Sequence, residues 1–446
     1  MSFIGVVLSL VQLRVYTQAI PPAPRDPGVR SGTAAAGAPL PGLTARQREY
    51  FQLGAEDFAE VESVADGIGP RANLDSCGGC HLQPALGGSS PALNPQVAFA
   101  QQGRDRVPSF ITLNGPVREA RFIRNPDGTP DGGVHALFTV AGRADATGCR
   151  MAQPDFEAQV VARNITFRIP TPVFGTGLME LIPDAAILAG RASGAATKQS
   201  LGIRGRANFS LAGRTISGQS NTNGNDGTIA RFGWKAQNKS LLIFSGEAYN
   251  VEMGITNDLF PTERDESAGC QFAGMPNSIT DLEAPSAGDA MSSIEKFSVF
   301  MRFLAPPTPS TTTPGGATSI ARGRAAFATT GCALCHTPSF TTGPGRVPAL
   351  AQKPVPLYSD LLVHDMGAGL ADGITQGTAG PREFRTAPLW GLGQRIFFLH
   401  DGRTNDLMEA IRAHASDGSE ANAVVRLFTG LDNGLKQDLL NFLRSL

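Results

Sequence analysis

Cys77-Gly78-Gly79-Cys80-His81 and Cys332-Ala333-Leu334-Cys335-His336 are two copies of the string C-x-x-C-H. In such a string two thiols add to the vinyl groups of a haem, and the adjacent histidine is delivered to the iron as proximal ligand. C-x-x-C alone also serves zinc sites and disulfides. Here both copies carry the histidine, and no second cysteine pair stands by to complete a zinc shell. The reading is two covalently bound haem c groups, attached through Cys77 and Cys80 and through Cys332 and Cys335, with His81 and His336 as iron ligands.

The 446 residues are enough chain for two or three domains, and a net charge of −1 gives no basis for a nucleic-acid partner or an anionic membrane surface. Gly (52) and Pro (32) are abundant in an otherwise globular composition, which predicts a loop-rich folded protein. Haem c is attached outside the bacterial inner membrane, so export to the periplasm is expected. The apolar run Phe3 to Leu13 is too short to span a bilayer, and Thr17-Gln18-Ala19 has the small-residue character of a cleavage site. Residues 1–19 are therefore read as a signal peptide and 20–43 as a flexible lead. Cys149 and Cys270 are left over from the haem motifs, and in an oxidising compartment two such thiols pair more often than they stay free.

Thr44-Ala45-Arg46-Gln47 is a capping box opening a helix with Phe51, Ala55, Phe58 and Val61 on one face, just ahead of the first motif. Ile165 to Ile169 and Ser240 to Phe244 read as short strands among Gly-rich loops. The Pro/Thr-rich stretch 305–318 reads as a linker. Gly323 and Phe327 fall on a short helix before the second motif, and Leu435, Leu439, Phe442, Leu443 and Leu446 form one side of a terminal helix. The expected fold is thus mainly α: an N-terminal haem domain over 44–304, enlarged by loops and a few strands, and a cytochrome c domain over 319–446.

What sits opposite each proximal histidine decides the chemistry, because a doubly ligated haem moves electrons whereas an open face binds peroxide or dioxygen. Leu407, Ala410, Ile411 and His414 share a helical stripe, so His414 points into the C-terminal core and reads as the sixth ligand there; His364 and Met366 compete for that place. His400 lies in a tight turn, suited to orienting a propionate. The first haem has no evident partner: the next histidine after His81 is His135. Peroxide cleavage also needs a proton shuttle, and Glu180, a lone acid in the apolar run Leu178 to Ile182, reads as that group; the alternative is a surface or capping carboxylate. Trp234 and Trp390, the two tryptophans, are candidates for a position between the haems or for interface packing. The loop Asn221 to Asp226 offers oxygen ligands of the kind Ca²⁺ takes and equally reads as a turn.

The segments Leu74 to His81, Phe232 to Ala236, Met253 to Thr256, Leu361 to Gly367 and Phe384 to Gly393 together resemble the di-haem oxidoreductase, putative peroxidase family of bacterial c-type proteins, from about Asp26 to Leu446. The block Phe384 to His414 is also distantly similar to bacterial di-haem cytochrome c peroxidases. Those carry a ligand methionine on the helix where this chain has His414, and a distal histidine that is missing between Asn94 and Gln102. The resemblance implies a peroxidase-like enzyme. Peroxide or dioxygen would react at the His81 haem, and electrons would be relayed through the His336/His414 haem from a small cytochrome or cupredoxin. The rival is a non-catalytic electron-transfer cytochrome.

Overall fold

The computed structural model describes residues 23–209 and 229–446, with only the backbone strands at 215–216 and 219–220 between them. The signal segment 1–19 and the Asn221 to Asp226 loop lie outside the described residues. The chain is about a third helical (33%) with 11% strand, so helices carry the core and strands are short.

Helix α1 (Ala45–Ala59) starts at the expected capping box: the Thr44 hydroxyl accepts from Gln47 N at 3.2 Å and the Gln47 amide oxygen accepts from Thr44 N at 2.9 Å. Helix α2 (Cys77–Cys80) is the first motif itself. Strands β1 (Glu119–Phe122), β2 (Val134–His135) and β3 (Ile165–Arg168) form an antiparallel sheet in the order β2-β1-β3, with Ala120 opposite both His135 and Phe167. Then come α3 (Thr176–Glu180), α4 (Asp184–Ala192), α5 (Ala195–Ser200), α6 (Leu241–Met253) and α7 (Ser293–Phe303). The C-terminal part contains α8 (Ala317–Thr329), the antiparallel pair β4 (Val363–Asp365) and β5 (Glu383–Arg385), and α9 (Leu407–Ala413), α10 (Asn422–Gly430) and α11 (Asn433–Ser445).

Both halves are built on the same crossing. In the first, α1 packs on α7 at Gly54, where an added Cβ would overlap the Lys296 carbonyl oxygen. In the second, α8 packs on α11 at Gly323, where a Cβ would overlap the Asp438 carbonyl oxygen. Four residues after each glycine comes a buried phenylalanine. Phe58 stands edge-on to Phe297 at 5.8 Å and to His81 at 5.8 Å; Phe327 meets Phe442 at 5.4 Å and His336 at 6.2 Å. The i, i+4 spacing puts glycine and phenylalanine on one face. The close helix crossing therefore also fixes the ring that backs His81 in one half and His336 in the other.

Three expectations change. Ser240 to Phe244 is not a strand but the N-terminus of α6, where the Ser240 hydroxyl caps Ile243 N at 3.2 Å. Leu241-Leu242-Ile243-Phe244 is apolar all round because this helix end is buried, so it shows no helical period to read. The lead is not loose either. Asp26 accepts two hydrogen bonds from the buried Arg444 guanidinium at 2.7 Å each, and Leu40 N donates to Phe303 O at 2.7 Å. The stretch 305–318 is fastened likewise, Thr308 N to Ala34 O and Ser310 N to Ser445 O. Cys149 and Cys270 are joined in a disulfide, as their pairing in an oxidising compartment predicts. Between the halves, Asp372 is shared by Arg168 at 2.7 Å and Lys235 at 3.0 Å, all three essentially inaccessible to solvent. No helix among the described residues is long and apolar enough to cross a membrane.

Candidate functional site

Each motif opens onto a cavity, the first lined by Cys77, Cys80 and His81 and the second by Cys332, Cys335 and His336. In the first, α2 places the Cys77 and Cys80 thiols one turn apart, and His81 follows as the C-cap. The His81 Nδ1 bonds the Gly88 carbonyl at 3.0 Å. A carbonyl only accepts, so Nδ1 carries the hydrogen and Nε2 is left with the lone pair an iron takes. His336 repeats this with the Tyr358 carbonyl at 2.9 Å. Burial pushes both imidazoles down to about 4, which keeps them neutral and fit to ligate.

The second cavity brings His414 and both thiols together with His336. His414 caps the C-terminus of α9 and spends its Nδ1–H on the Ala410 carbonyl at 2.7 Å, so it also has Nε2 to offer. His364 is not a comparable candidate, because both its nitrogens are engaged: Nε2 with Asp360 at 3.0 Å and Nδ1 with Glu420 at 2.9 Å. Burial opposes its charge, but Cys335 and Asp360 outweigh that and hold it well above the usual histidine range. Met366 lines the same cavity and packs against the apolar cluster of Ile169, Trp234, Leu370, Phe384 and Phe397. His400 lies in this wall too, stacked on Phe384 at 4.3 Å.

The buried arginines fit a haem. Arg385 and Arg395 line the second cavity and bond only carbonyls or nothing: Arg385 reaches Gly233 O and Thr386 O, and the Arg395 Nε has no partner. Burial lowers both to about 10. Unpaired buried guanidinium ions are costly, and the two propionates of a haem are the anions that would relieve them. In the first cavity Arg118 and Arg168 line the wall, and the Arg168 Nε is again unpartnered.

Glu180 does not line the first cavity. Its carboxylate accepts from Arg302 at 2.7 Å and from Leu241 N at 2.8 Å, the capping role that its residue type equally allows. The carboxyls that do face this space are Glu119 on β1 and Glu247 and Glu252 on α6. Glu119 is tied to Arg121 at 2.6 Å. Glu247 accepts from Asn238; burial raises it to about 7, against the pull of Arg121 and of that hydrogen bond. Burial and Glu119 raise Glu252 further, to about 8, although Arg121 opposes. Among the described residues lining this cavity His81 is the one histidine. His135 is elsewhere, paired with Asp131 at 2.7 Å and stacked on Phe122 at 3.7 Å. Met253 and Met301 are also in the wall, Met253 with its sulfur 3.9 Å from that of Cys77.

Trp234 borders both cavities and the smaller space between them, with its Nε1–H donated to the Ile169 carbonyl at 2.9 Å. Trp390 lines that smaller space. No group of three or more His, Cys, Asp or Glu among the described residues is arranged to hold a metal ion directly.

A family model described as "Di-haem oxidoreductase, putative peroxidase" matches residues 123–446. The chain belongs to this family. The membership makes haem its cofactor. No curated protein matches the chain. Among solved structures, a hydrazine synthase from Kuenenia stuttgartiensis is 18% identical, with a TM-score of 0.23, over 36% of this chain and 56% of that one. This di-haem oxidoreductase thus spans little more than half of that chain. A diheme peroxidase variant from Burkholderia thailandensis is 15% identical, with a TM-score of 0.30, over 62% of this chain and 86% of that one.

Proposed function

We propose that this di-haem oxidoreductase is a periplasmic c-type enzyme in which peroxide reacts in the first cavity and electrons are relayed through the second. The observation that carries this is the asymmetry of the two sites. The second has two imidazoles, His336 and His414, each with Nδ1 committed to a carbonyl and Nε2 free to ligate. The first has His81 and, in the same wall, two carboxyls that exchange protons near neutral pH. The haems, held by Cys77 and Cys80 and by Cys332 and Cys335, would supply the redox chemistry.

The chain's own residues do the proton work. Burial holds both carboxyls well above the usual carboxylate range, Glu252 the higher of the two, so near neutral pH Glu252 keeps its proton more readily than Glu247. With peroxide in the cavity, ionised Glu247 is placed to take the proton of one peroxide oxygen and protonated Glu252 to give one to the other, while the haems would supply the two electrons, and solvent the two further protons, that take both oxygens to water. Positioned acid and base of this kind are worth about 10²–10⁴ in rate. Phe58, Phe297 and Met301 close the apolar side of the space and keep water out. Trp234, in the wall of both cavities, is placed to shorten the electron's path. The disulfide suits an oxidising compartment.

Ferric-state electron paramagnetic resonance tests the assignment. One high-spin and one low-spin signal are expected, with cyanide or peroxide changing only the high-spin one. His414→Ala should convert the low-spin signal and leave the other. Two low-spin signals indifferent to both reagents would overturn the proposal.

A further inference from the structure

On the outer side of the second cavity, helices α4 and α5 and the turn after them form an open groove, with Arg191, Lys198 and Arg204 around it. Its lining includes the small or apolar, solvent-exposed residues Leu188, Ala192, Ala195 and Gly202. Leu188 is 45% exposed, and most of 188–200 faces solvent. Ile203 and His364 line this groove and the second cavity alike, so one layer of side chains separates the groove from the space beside Cys335.

The three cations are not neutralised locally. Arg191 donates to the Gly205 carbonyl at 2.8 Å and Lys198 to the Gly190 and Arg191 carbonyls at 2.8 and 3.2 Å. Among the described residues none of the three, Arg204 included, has a carboxylate within ion-pair distance. The acid in the groove wall, Asp360, is occupied by His364. From Ala185 to Gly205 the sequence holds Arg191, Lys198 and Arg204 and no acidic residue, in a chain whose net charge is −1. The positive charge is therefore a local concentration rather than a general property. Exposed apolar side chains interspersed with charged ones suit a transient protein interface, and like charges collected on one face attract a partner of opposite sign and speed the encounter.

We propose that this groove is the docking surface for a small redox protein with an acidic face. The inference rests on the second cavity holding the haem that exchanges electrons with a partner. It goes further by fixing where that partner lands and the sign of its surface.

The test is calorimetric titration of the haem-loaded protein with an acidic c-type cytochrome and, separately, a basic one, at low and physiological ionic strength. The acidic cytochrome should bind, lose affinity steeply with salt, and bind at least about tenfold more weakly to the R191E/K198E/R204E variant, whose haem absorption spectrum should be unchanged. The basic one should not bind. If the triple reversal disturbs folding, Arg191→Gln combined with Arg204→Gln should still weaken binding in the same direction. Equal affinity for both cytochromes, no binding of the acidic one, or an affinity untouched by these substitutions overturns the docking surface. Any of these outcomes with both expected resonance signals intact defeats the surface alone; missing signals defeat the functional reading.

Discussion

Glu247→Gln tests whether a carboxyl of the first cavity really keeps its proton near neutrality. Glu247 is 3% exposed, and burial lifts it from 4.5 to about 7 even though Arg121 and Asn238 pull it down. At 1.36 kcal/mol per pKa unit, that displacement is linked to about 3 kcal/mol of folding free energy. The folded protein binds this proton more tightly than the unfolded chain does. The stability it contributes is thus complete below about pH 4.5 and is lost as pH rises through about 7. Glutamine has nearly the same shape and cannot ionise. The variant should therefore match the protonated wild type in acid and gain on it between about pH 4.5 and 7, levelling off about 3 kcal/mol ahead. Urea unfolding of both proteins across this range measures the difference, and the other titrating groups largely cancel in the comparison. Glu252 is the exception, since the Glu247 charge is one of the influences raising it; its own titration should move down in the variant. Infrared difference spectra should show the carboxylic acid band of Glu247 missing from the variant. A stability difference that stays flat with pH would refute the reasoning, and with it the proton-shuttle role.

Two further outcomes follow from packing and from charge. Gly323→Val should destabilise the C-terminal part by about 3 kcal/mol, the upper end of overpacking penalties, because its Cβ would meet the Asp438 carbonyl oxygen. Gly430→Ala, with open space around it, should leave the thermal midpoint nearly unchanged; equal effects would show that the helix crossing is not tight. Asp26→Ala strands the Arg444 guanidinium, 1% exposed, and should cost about 3–5 kcal/mol in thermal or urea unfolding. Burial works against the Asp26 charge, but Arg444 and the Gly28 and Leu407 amides hold its carboxyl below 3.8. In the wild type this contribution is complete above the ordinary carboxylate range and is lost only as pH falls through the depressed value. A variant as stable as the wild type at neutral pH would show that the lead is not fastened there.

Glu180 and Glu247 show where legibility ended. Both are acids in apolar surroundings, and the sequence cannot tell a carboxylate buried against a cavity from one buried against an arginine. Arg302, 122 residues away, settles Glu180 as a cap and ion-pair partner. The start of helix α6 is masked for a related reason. Its first turn is apolar on every side, so it reads as a strand, and the i, i+5 pair Glu247 and Glu252 could not be placed over the haem motif. A signal was present in Ser240, a good N-cap three residues before Ile243.

The sequence by itself determined what is local. The two C-x-x-C-H strings, the capping box at Thr44, the Gly323 and Phe327 helix and the stripe bearing His414 all depend on spacings within one or two helical turns, where geometry is set by the backbone. Tertiary structure decided what depends on residues distant in the chain meeting. It gave the His364 Nδ1 to Glu420, put Glu247 and Glu252 rather than Glu180 in the wall of the first cavity, and set Trp234 between two cavities. It also drew 23–43 onto Arg444 and the C-terminal helix. The physical reason is that a side chain's partner fixes its charge state and role. Partners more than a hundred residues apart are chosen by packing, which no short pattern encodes.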